Sequence, residues 1–185
     1  ASSSALSFPV DSMSLALSKM PMRFTFRVDT LDESTFPSKG LEVLATGTDS
    51  SETMGADELR RQAFVSAAGA FTFHRTTLIP LVQSGWTPEG TVTLGTSYYL
   101  GGPGRLSGLY PQQLRGEKMV FTRLALYREL SKIKLGALST GVYAGASIEA
   151  GNVYAESDSV GLDTFRHGGS LYLGAKTPIG PIFVG

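Results

Sequence analysis

The chain has no cysteine, few charged residues and no long apolar run. Without cysteine it can form neither disulfides nor thiolate metal sites, although this does not decide its compartment. Charged residues make up only 17% of the sequence, below the roughly 25% of a typical soluble domain. Lys+Arg and Asp+Glu balance at 16 each, so the basic excess that usually accompanies nucleic-acid binding is missing. No run approaches the roughly 18 apolar residues of a membrane helix.

What the sequence does contain is apolar residues at every second position, which is the period of a β-strand. In "MRFTFRVDTL", Met22, Phe24, Phe26 and Val28 alternate with polar side chains. In "LSTGVYAGASIEAG" the even positions are mostly apolar, whereas the odd positions are small or polar and include Glu149 near the end. Comparable runs lie at 41–48, 59–73, 76–85, 91–100, 119–130 and 168–180, and Ser3–Leu17 offers a further candidate. We predict an all-β fold of about eight strands.

One stretch also fits a helix. "ADELRRQAFVSAAGAF" (residues 56–71) is rich in alanine, and Asp57 stands where a helix cap would be. Its apolar spacing is not clearly 3.6 residues, and the segments around it resemble strands. The strand is therefore favoured.

Alternation is typical of a soluble β-sandwich and of a membrane barrel alike. The runs here approach the roughly 9–11 residues of a tilted membrane strand, whereas soluble strands average about 5–6. Their polar faces carry glycine, serine, threonine and isolated charges. Aromatic residues near strand ends resemble an interfacial girdle, namely Phe36, Trp86, Tyr98, Tyr99, Tyr110, Tyr127, Tyr154 and Phe183. These features leave two interpretations open: a membrane barrel, and a soluble all-β sandwich serving as a binding or structural module.

No enzymatic or metal-binding motif is complete. "GASIEAG" departs from the Gly-x-Ser-x-Gly nucleophile elbow because Glu149 replaces the second glycine after Ser147. His74 and His167 have neither an adjacent acidic partner nor metal-ligand spacing. "LGGPG" lacks the Lys-Ser/Thr of a phosphate loop. We expect no catalytic residue, no metal and no cofactor in this chain.

Two segments are more distinctive. The turn motif "VDTLDESTFPSKG" places Asp29 and Asp32 before Phe36, Pro37 and Gly40. This order is typical of an acidic turn followed by a proline-stiffened start of a strand. The second segment, the glycine-rich loop "GGPGRLSGLYPQQLRG" (residues 101–116), contains five glycines, two prolines and two arginines. A plain turn needs far fewer glycines.

Together with "YRELSKIK", "SIEAGNVY" and "TPIGPIFVG", these two segments resemble the C-terminal half of the bacterial surface antigen superfamily. That group includes outer-membrane assembly factors, two-partner secretion transporters and patatin-like proteins, whose barrel this chain resembles most. The resemblance runs from about Met20 to the end of the chain. It implies an antiparallel transmembrane β-barrel of sixteen strands, of which residues 1–185 would supply about eight. The chain also stops inside the alternating run "GPIFVG", so we expect it to be a segment of a longer protein.

The resemblance also implies a site. In the family an inward-folded loop carries an Arg-Gly tip, and its arginine contacts an acidic residue on a late strand. By position, the glycine-rich loop corresponds to that loop and Glu149 to the acidic residue. Ser107 stands before Gly108 where the family has its arginine. We therefore expect Arg105 or Arg115 to reach Glu149 instead, through the paired hydrogen bonds that a guanidinium makes with a carboxylate.

The implied role is not enzymatic. It is protein translocation, assembly or the membrane anchoring of an upstream domain in the outer membrane of a Gram-negative bacterium. A patatin-like hydrolase, if attached, would lie outside these residues. The expected partners are outer-membrane lipid, the barrel-assembly machinery and a second copy of the protein, but not nucleic acid.

Two structural expectations follow if the chain supplies only half of the barrel. The sheet is expected to be open and curved rather than a closed cylinder. Apolar alternating residues should face outward, namely Met22, Phe24, Phe26, Val28, Val142, Ala144 and Ile148. Their neighbours should face inward, namely Arg23, Arg27, Asp29, Tyr143, Ser147 and Glu149.

Overall fold

The computed structural model describes residues 22–50, 60–90, 97–135, 138–155, 157–177 and 180–185. The predicted all-β fold is confirmed, and eight of its ten strands form one antiparallel sheet. The strands are β1 (Met22–Asp29), β2 (Lys39–Ser50), β3 (Arg60–Phe73), β4 (Thr76–Gly90), β5 (Tyr98–Leu100), β6 (Leu114–Gly116), β7 (Lys118–Leu135), β8 (Leu138–Tyr154), β9 (Arg166–Thr177) and β10 (Gly180–Val184). The candidate strand in Ser3–Leu17 and residues 91–96 lie outside the described ranges.

The large sheet has the order β1-β2-β3-β4-β7-β8-β9-β10, and every neighbouring pair is antiparallel. Its edge strands β1 and β10 do not pair with each other, so over the described ranges the sheet is open, as expected for part of a barrel. Strands β5 and β6 form a small separate hairpin inside the long β4–β7 connection. None of the described segments forms a helix with the length and apolarity that crossing a membrane requires.

Several strands are longer than those of ordinary soluble sheets. Strand β7 has 18 residues, β8 has 17, β4 has 15 and β3 has 14. The helix alternative for residues 56–71 is excluded for the part that is described, because β3 begins at Arg60. Of the predicted run at 91–100, only β5 is a described strand, and it belongs to the small hairpin rather than to the large sheet.

The register divides each strand between two faces. Arg123 of β7 lies opposite Leu81 of β4 and Glu149 of β8, whereas the next residue, Leu124, lies opposite Pro80 and Ile148. We call the side of Arg123 and Glu149 the loop face, because the glycine-rich loop packs on it, and the other side the apolar face. The predicted division of β1 and β8 residues between the two sides agrees with this register.

The apolar face is uncovered in the described part of the chain. Seventeen large apolar side chains on it are between 40% and 78% exposed. They are spread over all eight strands of the sheet: Met22, Phe24, Phe26, Val28, Leu41, Val65, Phe71, Phe73, Val82, Trp86, Leu124, Leu126, Ile148, Leu171, Leu173, Ile182 and Val184.

The buried clusters lie on the loop face. One contains Leu100, Leu106, Met119 and Phe121, each at most 1% exposed. The other contains Phe36, Tyr127 and Tyr143. The expectation of an aromatic girdle was therefore wrong for Phe36 and Tyr127, which are buried on this face, since residue 127 shares the side of residues 121 and 123 in the strand alternation. Trp86 does lie on the apolar face.

The connections differ between the two ends of the sheet. At one end, three of the four hairpins have connections of two residues, at 74–75, 136–137 and 178–179, and the fourth is the turn motif between β1 and β2. At the other end the connections are longer and include the whole 27-residue stretch between β4 and β7. The turn motif and the glycine-rich loop thus reach the loop face from opposite ends.

Candidate functional site

The candidate site is the place where the glycine-rich loop meets β7, β8 and β9. Left-handed backbone conformations bend this loop at Gly101, Gly102, Gly104 and Gly108. At Gly101 a side chain is also excluded by space, because a Cβ there would lie 2.4 Å from the carbonyl oxygen of Tyr110. Glycine tolerates both conditions, which explains why the segment needs so many of them.

Apolar burial fixes the base of the loop on the sheet. Leu106 of the loop is 1% exposed and packs in the cluster of Leu100, Met119 and Phe121. Leu109 and Leu114 pack against the same cluster. Fully burying a leucine side chain contributes roughly 1.5–3 kcal/mol. The loop is therefore held by a small core of its own as well as by polar contacts.

At its tip the loop contacts Glu149 through Ser107. The Ser107 amide donates to Glu149 Oε2 at 2.6 Å, and the Ser107 hydroxyl donates to Oε1 at 3.1 Å. The Ser147 hydroxyl also donates to Oε1, at 2.6 Å. Glu149 is only 3% exposed, so these three donors replace water around a buried carboxylate.

The neighbouring strand β9 has no room for a side chain beneath the contact between Ser107 and Glu149. Gly168 of β9 lies opposite Glu149 in the register. A Cβ at position 168 would lie 2.9 Å from the carbonyl oxygen of Ser107 and 3.0 Å from its amide nitrogen. Glycine at 168 therefore allows the tip to lie directly on β9, a close approach of two backbones that a side chain would obstruct.

Arg123 is the functional candidate that sequence reasoning missed. It lies directly across from Glu149 in the β7–β8 register, and its Nη1 donates to the carbonyl oxygen of Gly104 at 3.2 Å. The two strand residues thus hold the loop at two points, with the arginine at a carbonyl and the carboxylate at Ser107. The signal was present in "MVFTRLALY", where Arg123 is the single charge on a side otherwise formed by Met119, Phe121, Ala125 and Tyr127.

The expected arginine–carboxylate pair between the loop and Glu149 was wrong. Arg105 donates to the carbonyl oxygen of Tyr99 at 3.4 Å and contacts Met119, and its guanidinium lies 5.9 Å from the Phe121 ring centre. Arg115 donates from Nε to Ser97 Oγ at 2.7 Å. Among the described residues, neither arginine forms an ion pair with Glu149.

The physical reason is the local turn around the loop tip. Gly108 has φ +100°, and the Ser107 hydroxyl accepts a hydrogen bond from the Gly104 amide at 3.0 Å. This turn directs the Ser107 amide at the carboxylate, while Arg105 lies toward Met119 and Phe121.

The turn motif forms the connection between β1 and β2, organised by Asp32. The carboxylate of Asp32 accepts hydrogen bonds from the Ser38 amide at 2.7 Å, the Lys39 amide at 3.2 Å and the Ser38 hydroxyl. The Ser38 hydroxyl has the largest effect, and together these donors lower the pKa of Asp32 to about 2. Gly40 has φ +111°, and a Cβ there would lie 2.2 Å from the carbonyl oxygen of Thr30.

Asp29, the first acidic residue of the motif, ends β1. Its carboxylate pairs with Arg27 at 2.9 Å and accepts the Leu31 amide at 3.2 Å. Arg27 also pairs with Glu42 across the β1–β2 register. These ion pairs are exposed, and such pairs contribute little to stability.

The turn motif carries Phe36 onto the loop face. Phe36 is 4% exposed and stacks on Tyr143, with ring centres 4.1 Å apart, while Tyr127 meets it edge-on at 5.3 Å. The Tyr127 hydroxyl donates to the carbonyl oxygen of Pro37. A Cβ at Gly174 of β9 would lie 2.6 Å from Phe36 Cζ. The aromatic ring is therefore seated against β9 as well as against β7 and β8.

An open cavity of about 990 Å³ separates the loop tip from the turn motif. Gly104 and Ser107 border it on one side and Phe36 on the other, with Arg123 and Tyr172 among the strand residues that line it. In the part of the chain that the structure describes, no group of three or more metal-ligating side chains is present.

No family model matches this chain, and no curated protein matches it either.

Proposed function

We propose that the chain is part of a transmembrane β-barrel of a Gram-negative outer membrane, with its apolar face toward lipid and its loop face toward the barrel interior. The observation that carries this proposal is the apolar face, where each of the eight strands has at least one large apolar side chain that is 40% or more exposed. Burying such a side chain is worth roughly 1.5–3 kcal/mol. A sheet that leaves so many of them uncovered is far better suited to a hydrocarbon surface than to water.

Three further features support the proposal. The longest strands exceed the roughly 9–11 residues needed to cross a bilayer at a tilt. Connections are mostly short at one end of the sheet and long at the other, a pattern typical of outer-membrane barrels. Strands β1 and β10 are open edges, and further strands of a longer chain would pair with them to close a barrel.

A soluble β-sandwich is the second candidate. It requires another layer over the apolar face. In the described ranges, both covering segments, the glycine-rich loop and the turn motif, pack on the opposite face. This observation favours the barrel.

Within the barrel, we propose a non-enzymatic role in protein translocation, assembly or the anchoring of an upstream domain. Support comes from the resemblance to the bacterial surface antigen superfamily and from the loop that packs on Glu149 on the interior side. The partners would be outer-membrane lipid, the barrel-assembly machinery and a second copy of the protein. Nucleic acid is not an expected partner, because the chain has no net charge.

The test is the behaviour of the full-length protein in detergent. We expect the protein to fractionate with outer membranes and to migrate faster in SDS gels before boiling than after it, because a folded barrel stays compact in SDS. A protein that fractionates as soluble and migrates identically with and without boiling would contradict the proposal. Loss of assembly or transport when this chain is deleted would support the proposed role.

A further inference from the structure

The cavity between the loop tip and the turn motif has the construction of a ligand site. Its volume of about 990 Å³ lies at the upper end of the roughly 300–1,000 Å³ of small-molecule pockets. Aromatic and aliphatic side chains form much of its wall, namely Phe36, Ile79, Leu109, Tyr127, Tyr172 and Phe183. Small residues at Ala125, Ser147 and Ser170 leave the space above the strands open.

Arg123 is the charged group that lines this cavity. A guanidinium has five N–H donors, and within the described residues Arg123 makes one hydrogen bond, to the carbonyl oxygen of Gly104. Its Nε is buried and has no partner there. Its cross-strand neighbour Glu149 is already occupied by Ser107 and Ser147, and no ion pair joins it to Arg123. A partly buried cation without an anionic partner is unfavourable.

We propose that this cavity binds a small organic anion with an apolar body, such as a medium-chain carboxylate. The anionic group pairs with Arg123, and the apolar body packs between Phe36, Tyr127 and Tyr172. This proposal stands on the loop and the turn motif, and it does not depend on the role proposed for the barrel.

The charge in the cavity wall favours an anion over a cation or a neutral ligand, because Arg123 is the charged side chain that lines it. Arg105 lies outside this lining, against Met119 and Phe121, but close enough to Arg123 for the two like charges to interact; burial together with that repulsion lowers the pKa of Arg105. Arginine also suits a carboxylate, since its planar fork can form two parallel hydrogen bonds to it. A neutral alcohol of the same length could accept a single hydrogen bond from Arg123 but would leave its charge without an anion.

The experiment uses the full-length protein in lipid nanodiscs and 8-fluorooctanoate as the probe, observed by ¹⁹F NMR. We expect saturable binding that unlabelled octanoate displaces and that octan-1-ol displaces much less. The variant Arg123→Gln should weaken binding at least about tenfold, as expected for the loss of a charge-assisted hydrogen bond. Arg123→Lys, which keeps the charge, should lose less.

A second variant is needed because Arg123 also holds the glycine-rich loop, so that replacing it changes both the anion contact and the position of the loop. Ala125→Leu fills the floor of the cavity without removing a contact to the glycine-rich loop, and it should also weaken octanoate binding at least about tenfold, since the added side chain occupies the space of the ligand. Thr46→Leu, on the loop face but outside this cavity, is the matched control and should bind normally. Equal binding by wild type and Ala125→Leu, or equal displacement by octan-1-ol and octanoate, would overturn the proposal.

Discussion

The two faces of the sheet are formed by the same strands but are completed in different ways. On the loop face, two inserted segments supply the missing partners: Leu106 and Ser107 at one end and Phe36 at the other. On the apolar face, the described chain supplies no cover, and Ile148 and Leu171 are 67% and 78% exposed. The described residues therefore cover the loop face with segments of the same chain and leave the apolar face uncovered.

The two inserted segments also differ from each other. The glycine-rich loop contacts the strands through polar groups around Glu149 and through its three leucines, Leu106 above all. The turn motif contacts them mainly through the Phe36 ring and an ion pair between Glu33 and Lys176. Substitutions on the loop face should therefore act on specific contacts, whereas those on the apolar face should depend on the surrounding solvent.

The largest expected effect is the difference in the free energy of unfolding between two phenylalanine-to-alanine substitutions, one on each face. Phe36→Ala removes a ring buried between Tyr127 and Tyr143 and should cost about 3–5 kcal/mol in the free energy of unfolding. The matched control is Phe24→Ala on the apolar face, where the ring is 63% exposed. It should cost clearly less. Urea unfolding of the protein in lipid vesicles measures both, and an equal loss would remove the distinction between the faces.

Introducing a charge should give the next largest effect. Leu126→Arg places a cation in the middle of β7 on the apolar face, which costs about 2–4 kcal/mol near the midplane of a bilayer. Thr46→Arg on the loop face should cost about 1 kcal/mol or less, typical of surface substitutions. The same vesicle unfolding assay applies. If Leu126→Arg is tolerated as well as Thr46→Arg, the apolar face does not contact lipid.

Removing the loop contact should have a smaller effect on stability but a clear local one. Glu149→Ala leaves three donors of Ser107 and Ser147 without their acceptor, and buried unpaired groups cost about 1–3 kcal/mol. Trypsin should then cleave faster after Arg105 and Arg115, and assembly or transport by the full-length protein should fall while the strands remain intact.

Glu149→Gln is the control for that prediction, because it keeps one carbonyl acceptor for Ser107. Its cleavage rate should lie between those of wild type and Glu149→Ala. An unchanged rate in Glu149→Ala would show that Glu149 does not hold the loop.

The smallest expected effect is the response of the turn motif to pH. The pKa of Asp32 is lowered from 3.8 to about 2, chiefly by the Ser38 hydroxyl. A lowered carboxyl pKa means that its contribution is fully present above about pH 4 and is lost as the pH falls through 2. An NMR titration should show this low pKa in wild type and a value closer to 3.8 in Ser38→Ala. A wild-type carboxyl that titrates near 3.8 would contradict it.

The period-two pattern was enough to predict the all-β fold class and the two faces. The pattern predicts the faces because successive residues of a strand point to opposite sides of the sheet, as Arg23 and Phe24 do. The same logic could have identified Arg123, a single charge between Phe121 and Ala125 on the loop face of β7. The girdle was predicted from the distance of aromatic residues to strand ends, and this prediction took no account of odd and even positions. For that reason Tyr127 was placed on the wrong face.

The contacts of the loop tip could not be predicted from the sequence. Glu149 is met by a backbone amide, and every residue except proline has one, so no residue type marks the contact. The role of Gly168 could not be predicted from the sequence either. It arises because the backbone of Ser107 lies about 3 Å from the place where a Cβ at position 168 would be. Contacts between segments far apart in sequence follow from register, which a single sequence does not specify.

The most direct test of the account is to compare the surroundings of Val65 and Thr46, which lie on neighbouring rungs of β3 and β2 but on opposite faces. These 185 residues contain no cysteine, so Val65→Cys and Thr46→Cys can each carry one NBD fluorophore in a full-length protein that is folded into vesicles and from which any cysteine outside this chain has been removed. The account predicts that NBD at Val65 emits as in lipid and is quenched by spin-labelled lipids, whereas NBD at Thr46 is not. Water-like emission at Val65, or equal quenching at both positions, would contradict it.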